Sequence, residues 1–122
     1  MAERSARTDE TQSLIEKAFA VGNFWENLGL FVKLGLVDRN IALEAWGNLV
    51  IIAWQDLRLM VPIMRRGQGN TIWENFELLA VLAQDWWAAY PNGTYPAGVR
   101  RIELKDEFLE ADRQYVATLA TA

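Results

Sequence analysis

Apolar residues recur at intervals of three and four positions along most of this chain, and this spacing strongly constrains its fold. An α-helix has about 3.6 residues per turn, so such a spacing gathers apolar side chains on one face. Four segments carry the pattern, separated by runs of residues typical of turns. The pattern predicts an all-α domain, a four-helix bundle in which short connections force neighbouring helices to run antiparallel.

The first helix is predicted to begin at Asp9, which suits an N-cap, with Gln12 completing a capping box. Gly35 is predicted to end it as a left-handed C-terminal cap. Gly22 and Gly29 lie within this helix, where each costs about 1 kcal/mol relative to alanine. We interpret them as a site of close helix packing, or of a break near Gly22, in preference to a ligand site. The face expected to contact a partner helix contains Leu14, Ala18, Val21, Trp25, Leu28 and Val32.

The second segment begins after Asp38, a predicted N-cap, and carries apolar residues around much of its circumference. A helix of this kind belongs in the middle of a fold, which predicts a central second helix. Pro62 lies late in the segment, where it removes one backbone hydrogen bond. The second helix is therefore expected to be kinked near Pro62 and to end in the run RRGQGN.

The third helix is predicted to span about Thr71 to Ala89, with Thr71 and Glu74 forming its capping box. The turn residues PNGTYPAG follow it. The last helix, from about Val99 to Leu119, is expected to pack one face on the core. These limits predict a disordered tail at residues 1–8 and a single helical domain at residues 9–122.

The chain contains six tryptophans but no histidine or cysteine, and this composition excludes several kinds of chemistry. It rules out Ser-His-Asp and Cys-His nucleophiles and the usual zinc sites. No cofactor is predicted. The formal net charge is -4 and the basic residues are scattered, whereas a nucleic-acid-binding protein needs a concentrated basic face. Nucleic-acid binding is therefore not expected.

The longest charge-free apolar runs, Leu49 to Trp54 and Leu78 to Ala83, are far shorter than the roughly 18 residues needed to cross a bilayer. No membrane span is predicted. The lack of cysteine agrees with a cytoplasmic setting. The sequence therefore predicts a soluble, cytoplasmic protein.

Glu26 is the main candidate for a partly buried carboxylate, because it lies mid-helix between Gly22 and Gly29. A carboxylate that is partly buried there must be paired or protonated. Arg65 and Arg66 are the predicted partners. We favour a structural ion pair that fixes the packing of the first two helices, with an exposed carboxylate and a functional site as the alternatives.

Two acidic pairs offer an alternative metal site, since each pair lies on one helical face: Glu74 with Glu77, and Glu107 with Glu110. Two such pairs facing each other would hold magnesium through oxygen ligands. Their arrangement resembles that of MazG-like nucleotide pyrophosphohydrolases, which are helical and use acidic pairs of this kind. Because Glu74 is already explained by the capping box, no metal site is the preferred prediction.

Aromatic side chains are the other candidate for function. A chain this short is not expected to cover all of them by itself, so we predict an interaction protein that forms a homodimer or docks another protein. The alternative is a small-ligand binder, or a magnesium-dependent hydrolase, with a tryptophan-lined pocket. The aromatic residues predicted for the interface or pocket are Trp46, Trp54, Trp73, Trp86, Trp87 and Tyr90.

The stretch NFWENLGLFVKLGLVDRNIALEAWG, followed by Pro62-Ile63, Arg65 and then WENFELL, resembles a bacterial family of small helical domains of unknown function. The similarity covers roughly Asn23 to Leu79. A glutamate before a glycine-leucine-apolar-valine-basic stretch is typical of that family, and Glu26 with Gly29 to Gly35 matches it. The resemblance implies a helical fold and brings no activity, cofactor or catalytic residue with it.

Overall fold

The computed structural model describes the backbone of residues 2–121 and the side chains of residues 8–121. Within that range the protein is all-α, as predicted, with five helices and no strand. It differs from the predicted four-helix bundle because the second predicted helix is divided and the last one lies outside the core. The helices are α1 (Ala2–Lys33), α2 (Arg39–Leu57), α3 (Met60–Gln68), α4 (Glu74–Ala89) and α5 (Glu107–Thr121).

Helix α1 begins earlier than predicted and ends where predicted. It starts at Ala2 rather than Asp9, because the residues before Asp9 include no glycine or proline that would interrupt a helix. The disordered tail predicted at residues 1–8 falls mostly on residues whose side chains, up to residue 7, lie outside the described part of the chain. Gly35 has a φ of 77°, and the Leu36 N–H donates to the Phe31 carbonyl oxygen at 2.9 Å. These features form the predicted left-handed cap.

The second predicted helix forms two helices rather than one kinked helix. It begins as predicted, with the Ile41 N–H donating to Asp38 Oδ1 at 3.0 Å. α2 then ends at Leu57, and α3 begins at Met60. Pro62 consequently lies in the first turn of α3, where a backbone N–H has no helical acceptor and a proline is tolerated. The prediction of a kink near Pro62 is therefore not confirmed.

Helix α4 is the centre of the fold. It packs against both α1 and α2, which contact each other much less. The prediction of a central second helix is wrong, because only one side of α2 faces the core and its other apolar side is exposed. The buried core residues are Trp25, Val32, Ala42, Leu43, Val50, Val61, Met64, Trp73, Phe76, Leu79, Ala80 and Ala83.

The C-terminal part of the protein lies outside this core. Every residue from 88 to 121 is exposed, so the prediction that the last helix packs one face on the core is wrong. α5 also begins later than predicted, after Asp106, whose Oδ1 accepts a hydrogen bond from the Leu109 N–H at 2.8 Å. Over residues 2–121, no helix has both the length and the apolar character required to cross a membrane.

Candidate functional site

Two glycines of α1 let the N-terminal end of α4 lie directly against α1. A Cβ on Gly29 would overlap the carbonyl oxygen of Asn75 and lie 2.7 Å from its carbonyl carbon. A Cβ on Gly22 would overlap the indole ring of Trp73. Because α1 continues unbroken through both positions, the glycines serve close packing, as predicted, and the alternative of a break near Gly22 is wrong.

Glu26 lies between these glycines and caps α4 from outside that helix. Its Oε1 accepts hydrogen bonds from the Asn75 N–H at 2.7 Å and from the Phe76 N–H at 3.2 Å. These N–H groups belong to the first turn of α4 and have no acceptor within the helix. A side chain just before a helix normally caps such groups. Here the cap comes from a neighbouring helix, and its negative charge also faces the positive end of the α4 dipole.

The predicted capping box of Thr71 and Glu74 does not form. The residue at the N-cap position of α4 is Trp73, which makes no side-chain capping bond. Its φ of 54° is a left-handed conformation that costs a non-glycine residue about 1–2 kcal/mol. Burial of the indole ring offsets this cost, since Trp73 is only 4% exposed and its Nε1 donates to Asn23 Oδ1 at 2.9 Å.

Arg65 holds the other side of the turn that leads into α4. Its Nε donates to the Ile72 carbonyl oxygen at 2.9 Å, and its Nη1 lies 2.7 Å from Glu77 Oε1. The predicted pairing of Glu26 with Arg65 or Arg66 is therefore wrong. α3 brings Arg65 to α4 rather than to α1, Arg66 is exposed, and backbone amides already occupy the Glu26 carboxylate.

These side chains form one capping cluster, consisting of Asn23, Glu26, Arg65, Trp73 and Glu77. Most of their polar side-chain atoms pair with each other or with the backbone at the start of α4. One exception within the described part is Arg65 Nη2, which is buried without a hydrogen-bond partner. The arrangement fastens α4 to α1 and α3, and the partners of Glu26 are backbone amides rather than the predicted arginines.

The four carboxylates of the alternative metal site do not come together. Glu77 pairs with Arg65, and Glu110 lies 3.6 Å from the Lys105 amine. Glu107 and Glu110 belong to α5, which lies outside the core, whereas Glu74 and Glu77 begin α4. Among the side chains of residues 8–121, no three acidic groups lie in an arrangement that would hold a metal ion.

Replacing Glu26 with alanine is expected to lower the free energy of unfolding by about 2 kcal/mol, because the Asn75 and Phe76 N–H groups lose their acceptor. Glu26→Gln keeps an acceptor oxygen and should lose about half as much. The control is Glu16→Ala, at an exposed position of the same helix, with an expected change within about 0.5 kcal/mol. Urea denaturation of the three variants measures the differences. Equal losses for Glu26→Ala and Glu16→Ala would contradict the capping role.

The six predicted interface aromatics separate into core and surface residues. Trp54 meets the buried Phe76 edge-on, with ring centroids 5.1 Å apart. Trp46 and Tyr90 are 37% and 45% exposed and remain available at the surface. The others contribute mainly to the core and its edge: Trp54, Trp73, Trp86 and Trp87.

An open apolar groove of about 420 Å³ lies between α1 and α2 on the surface of the protein. Three of its aliphatic residues, Val21, Leu49 and Ile52, are about half exposed. Trp25, which is buried, also contributes to the lining, and the groove carries one charge of each sign, at Lys17 and Asp56. The full lining of this α1–α2 groove is Lys17, Ala18, Val21, Trp25, Leu49, Ile52, Ala53, Asp56 and Leu57.

Sequence reasoning missed several residues of these two regions. Asn23 and Asn75 join the capping cluster or its backbone contacts, and the groove charges Lys17 and Asp56 were not singled out. The glycine pair around Glu26 was the signal for the first region. Two glycines seven positions apart share a helix face, and a second backbone close to that face supplies N–H groups to a carboxylate between them.

No curated protein and no solved structure matches the chain. A family model described as "Domain of unknown function (DUF4760)" matches residues 2–86. This region contains the capping cluster and the α1–α2 groove and includes the stretch over which the sequence resembles a family of small helical domains. The segment after α4 and helix α5 follow the matched region. The chain belongs to the DUF4760 family of domains of unknown function.

Proposed function

We propose that this chain is a cytoplasmic interaction protein that associates with a second copy of itself through the exposed apolar faces of α1 and α2. The observation that carries the proposal is the α1–α2 groove, an apolar surface open to solvent in the single chain. Contiguous apolar surface of this kind typically marks a binding site. Docking of a different protein in the same groove is the alternative form of the proposal.

The composition of α2 supports the same conclusion. One side carries Leu43 and Val50, which are buried against the core, while Leu49 and Ile52 on another side are exposed. A helix that is apolar on both sides is normally covered on both sides. The single chain covers only one of them, so the exposed side is expected to be buried by a partner.

The shape of the groove favours a helical partner. It lies between two helices and is lined mainly by aliphatic side chains. An amphipathic helix binds such a groove by inserting residues spaced three and four apart from one face. The charged residues Lys17 and Asp56 would then set the orientation and register of the bound helix.

Introducing a charge into the groove with Ile52→Asp is expected to abolish self-association, because the carboxylate would be buried without a partner. Ile41→Asp is the matched control, since Ile41 is exposed on the same helix but does not line the groove. Native mass spectrometry and light scattering at about 100 μM would detect a dimer with a micromolar Kd. A monomeric wild-type chain, or equal effects of the two substitutions, would contradict self-association through the groove.

A further inference from the structure

Helix α5 is an amphipathic helix that lies exposed on the described part of the chain. Its 15 residues are all exposed where described. Isolated helices of about this length are marginally stable in water, so α5 needs a packing surface to be well populated. Its apolar residues follow helical spacing and share one face: Phe108, Leu109, Tyr115, Val116 and Leu119.

A carboxylate lies in the middle of that apolar face. Asp112 follows Phe108 by four positions and precedes Tyr115 and Val116 by three and four, so the four side chains are neighbours on the helix. When the face is covered, the Asp112 carboxylate loses water and needs a cation or hydrogen-bond donors. The surface that receives α5 should therefore be apolar and should carry one positive charge.

The α1–α2 groove has this combination. Lys17 is the cation in its lining, and no carboxylate of residues 8–121 pairs with it. Asp56 is the other charge, and Arg113 follows Asp112 directly in the sequence. A helix that places Asp112 beside Lys17 can therefore also place Arg113 near Asp56.

The length of the groove also agrees with the length of the part of α5 that would occupy it. Along α1, the groove extends from Lys17 to Trp25, about 12 Å at 1.5 Å per residue. On α5, the stretch from Asp112 to Leu119 covers about 10 Å. With Asp112 beside Lys17, the apolar residues that follow Asp112 lie over the aliphatic part of the groove.

We propose that α5 of one copy lies in the α1–α2 groove of a second copy, with Asp112 paired to Lys17 and Arg113 to Asp56. This inference rests on the proposed function and identifies its binding partner. Two copies exchanging their α5 helices in this way form a closed dimer with twofold symmetry. Each exchanged α5 helix then brings the Tyr115 ring, which buries about 150–250 Å², together with Val116 and Leu119 into the groove of the other copy.

A hydrogen bond attaches the segment between α4 and α5 to α2 of its own chain. Thr94 Oγ1 donates to Glu44 Oε1 at 2.6 Å, near the start of α2. The Tyr95 hydroxyl then donates to the Arg100 carbonyl oxygen at 2.9 Å, and the Arg101 guanidinium lies 4.3 Å from the centre of the Tyr95 ring. Residues 95–101 therefore fold back on themselves, and residues 102–106 join them to α5.

The test is a charge swap in the full-length chain. Lys17→Glu and Asp112→Lys each place like charges together and are expected to weaken the dimer at least about tenfold. An equimolar mixture should form a heterodimer, because both groove contacts then join opposite charges. Isotope labelling of one variant identifies the heterodimer by native mass spectrometry. Glu110→Lys, on the polar side of α5, is the control that should leave the dimer unchanged, and circular dichroism confirms that every variant folds.

The outcomes separate this inference from the proposed function. If each variant alone dimerises more weakly than the wild type and the mixture recovers dimerisation, the exchange of α5 helices is supported. If both variants dimerise like the wild type while Ile52→Asp does not, the groove is the interface but α5 is not its occupant, and the inference is overturned. If the weakened variants do not recover on mixing, the inference is likewise overturned. A monomeric wild-type chain, or a dimer that Ile52→Asp leaves intact, overturns both proposals.

Discussion

Replacing Gly29 with alanine is expected to lower the free energy of unfolding by about 3 kcal/mol, although alanine is the better helix former by about 1 kcal/mol. The added Cβ would overlap the carbonyl oxygen of Asn75. This neighbour is backbone rather than a flexible side chain, so α1 and α4 must move apart to relieve the contact. Such a movement would also lengthen the hydrogen bonds between Glu26 and the start of α4.

The matched control for Gly29→Ala is Gly67→Ala. Gly67 is also within a helix, but a Cβ there meets no atom within 4 Å. This substitution should raise the free energy of unfolding by about 0.5–1 kcal/mol. Urea denaturation of both variants provides the comparison. Stabilisation by Gly29→Ala similar to that by Gly67→Ala would show that α4 does not lie against α1 as described.

Trp73→Ala is expected to cost about 3–5 kcal/mol, as large truncations in a core do. The ring fills the space above Gly22, packs against Phe76 with a centroid distance of 5.6 Å, and donates a hydrogen bond to Asn23. Alanine would also remain in the left-handed conformation at this position without the ring that offsets its cost.

Trp46→Ala is the control for Trp73→Ala, because it removes the same side chain from a position that is 37% exposed. Its expected cost is about 1 kcal/mol. Thermal unfolding followed by circular dichroism gives both values, since the Tm falls by several degrees per kcal/mol in a domain of this size. A loss for Trp46→Ala as large as that for Trp73→Ala would contradict the central position of Trp73.

Helix boundaries set by neighbouring residues could be predicted from the sequence. The Asp38 cap and the Gly35 terminus each depend on a few consecutive residues, and both formed as predicted. Close packing at Gly22 and Gly29 was predictable for a similar reason, since a glycine within a helix is costly unless another group occupies the space. Predicting these features does not require knowing which helix lies opposite.

The cap of α4 could not be predicted because its partner is distant in the sequence. Thr71 and Glu74 have the spacing of a local capping box, but burial of Trp73 against α1 sets the backbone conformation at the start of α4. Glu26, 49 positions before Asn75, then supplies the acceptor. Tertiary packing here outweighs a local preference that amounts to about 1 kcal/mol.

Helical spacing also does not reveal which apolar faces the single chain covers. The apolar circumference of α2 suggested a central helix, but α4 takes that place and leaves Leu49 and Ile52 exposed. The apolar face of α5 was likewise predicted, but its contact with the core was not formed. In both cases the apolar face was predicted to pack on the core of its own chain. The proposed dimer would bury the exposed apolar faces of α2 and α5 against each other.

The most direct test of the groove as a binding surface uses single introduced cysteines, since the natural sequence contains none. Leu49 in the groove and Ile41 outside it are 54% and 64% exposed in the single chain. If a second copy covers the groove, a maleimide should label Leu49→Cys at least about tenfold more slowly than Ile41→Cys at dimer-forming concentration, and dilution should remove the difference. Equal labelling rates at that concentration would show that the groove is uncovered and would contradict the proposed interface.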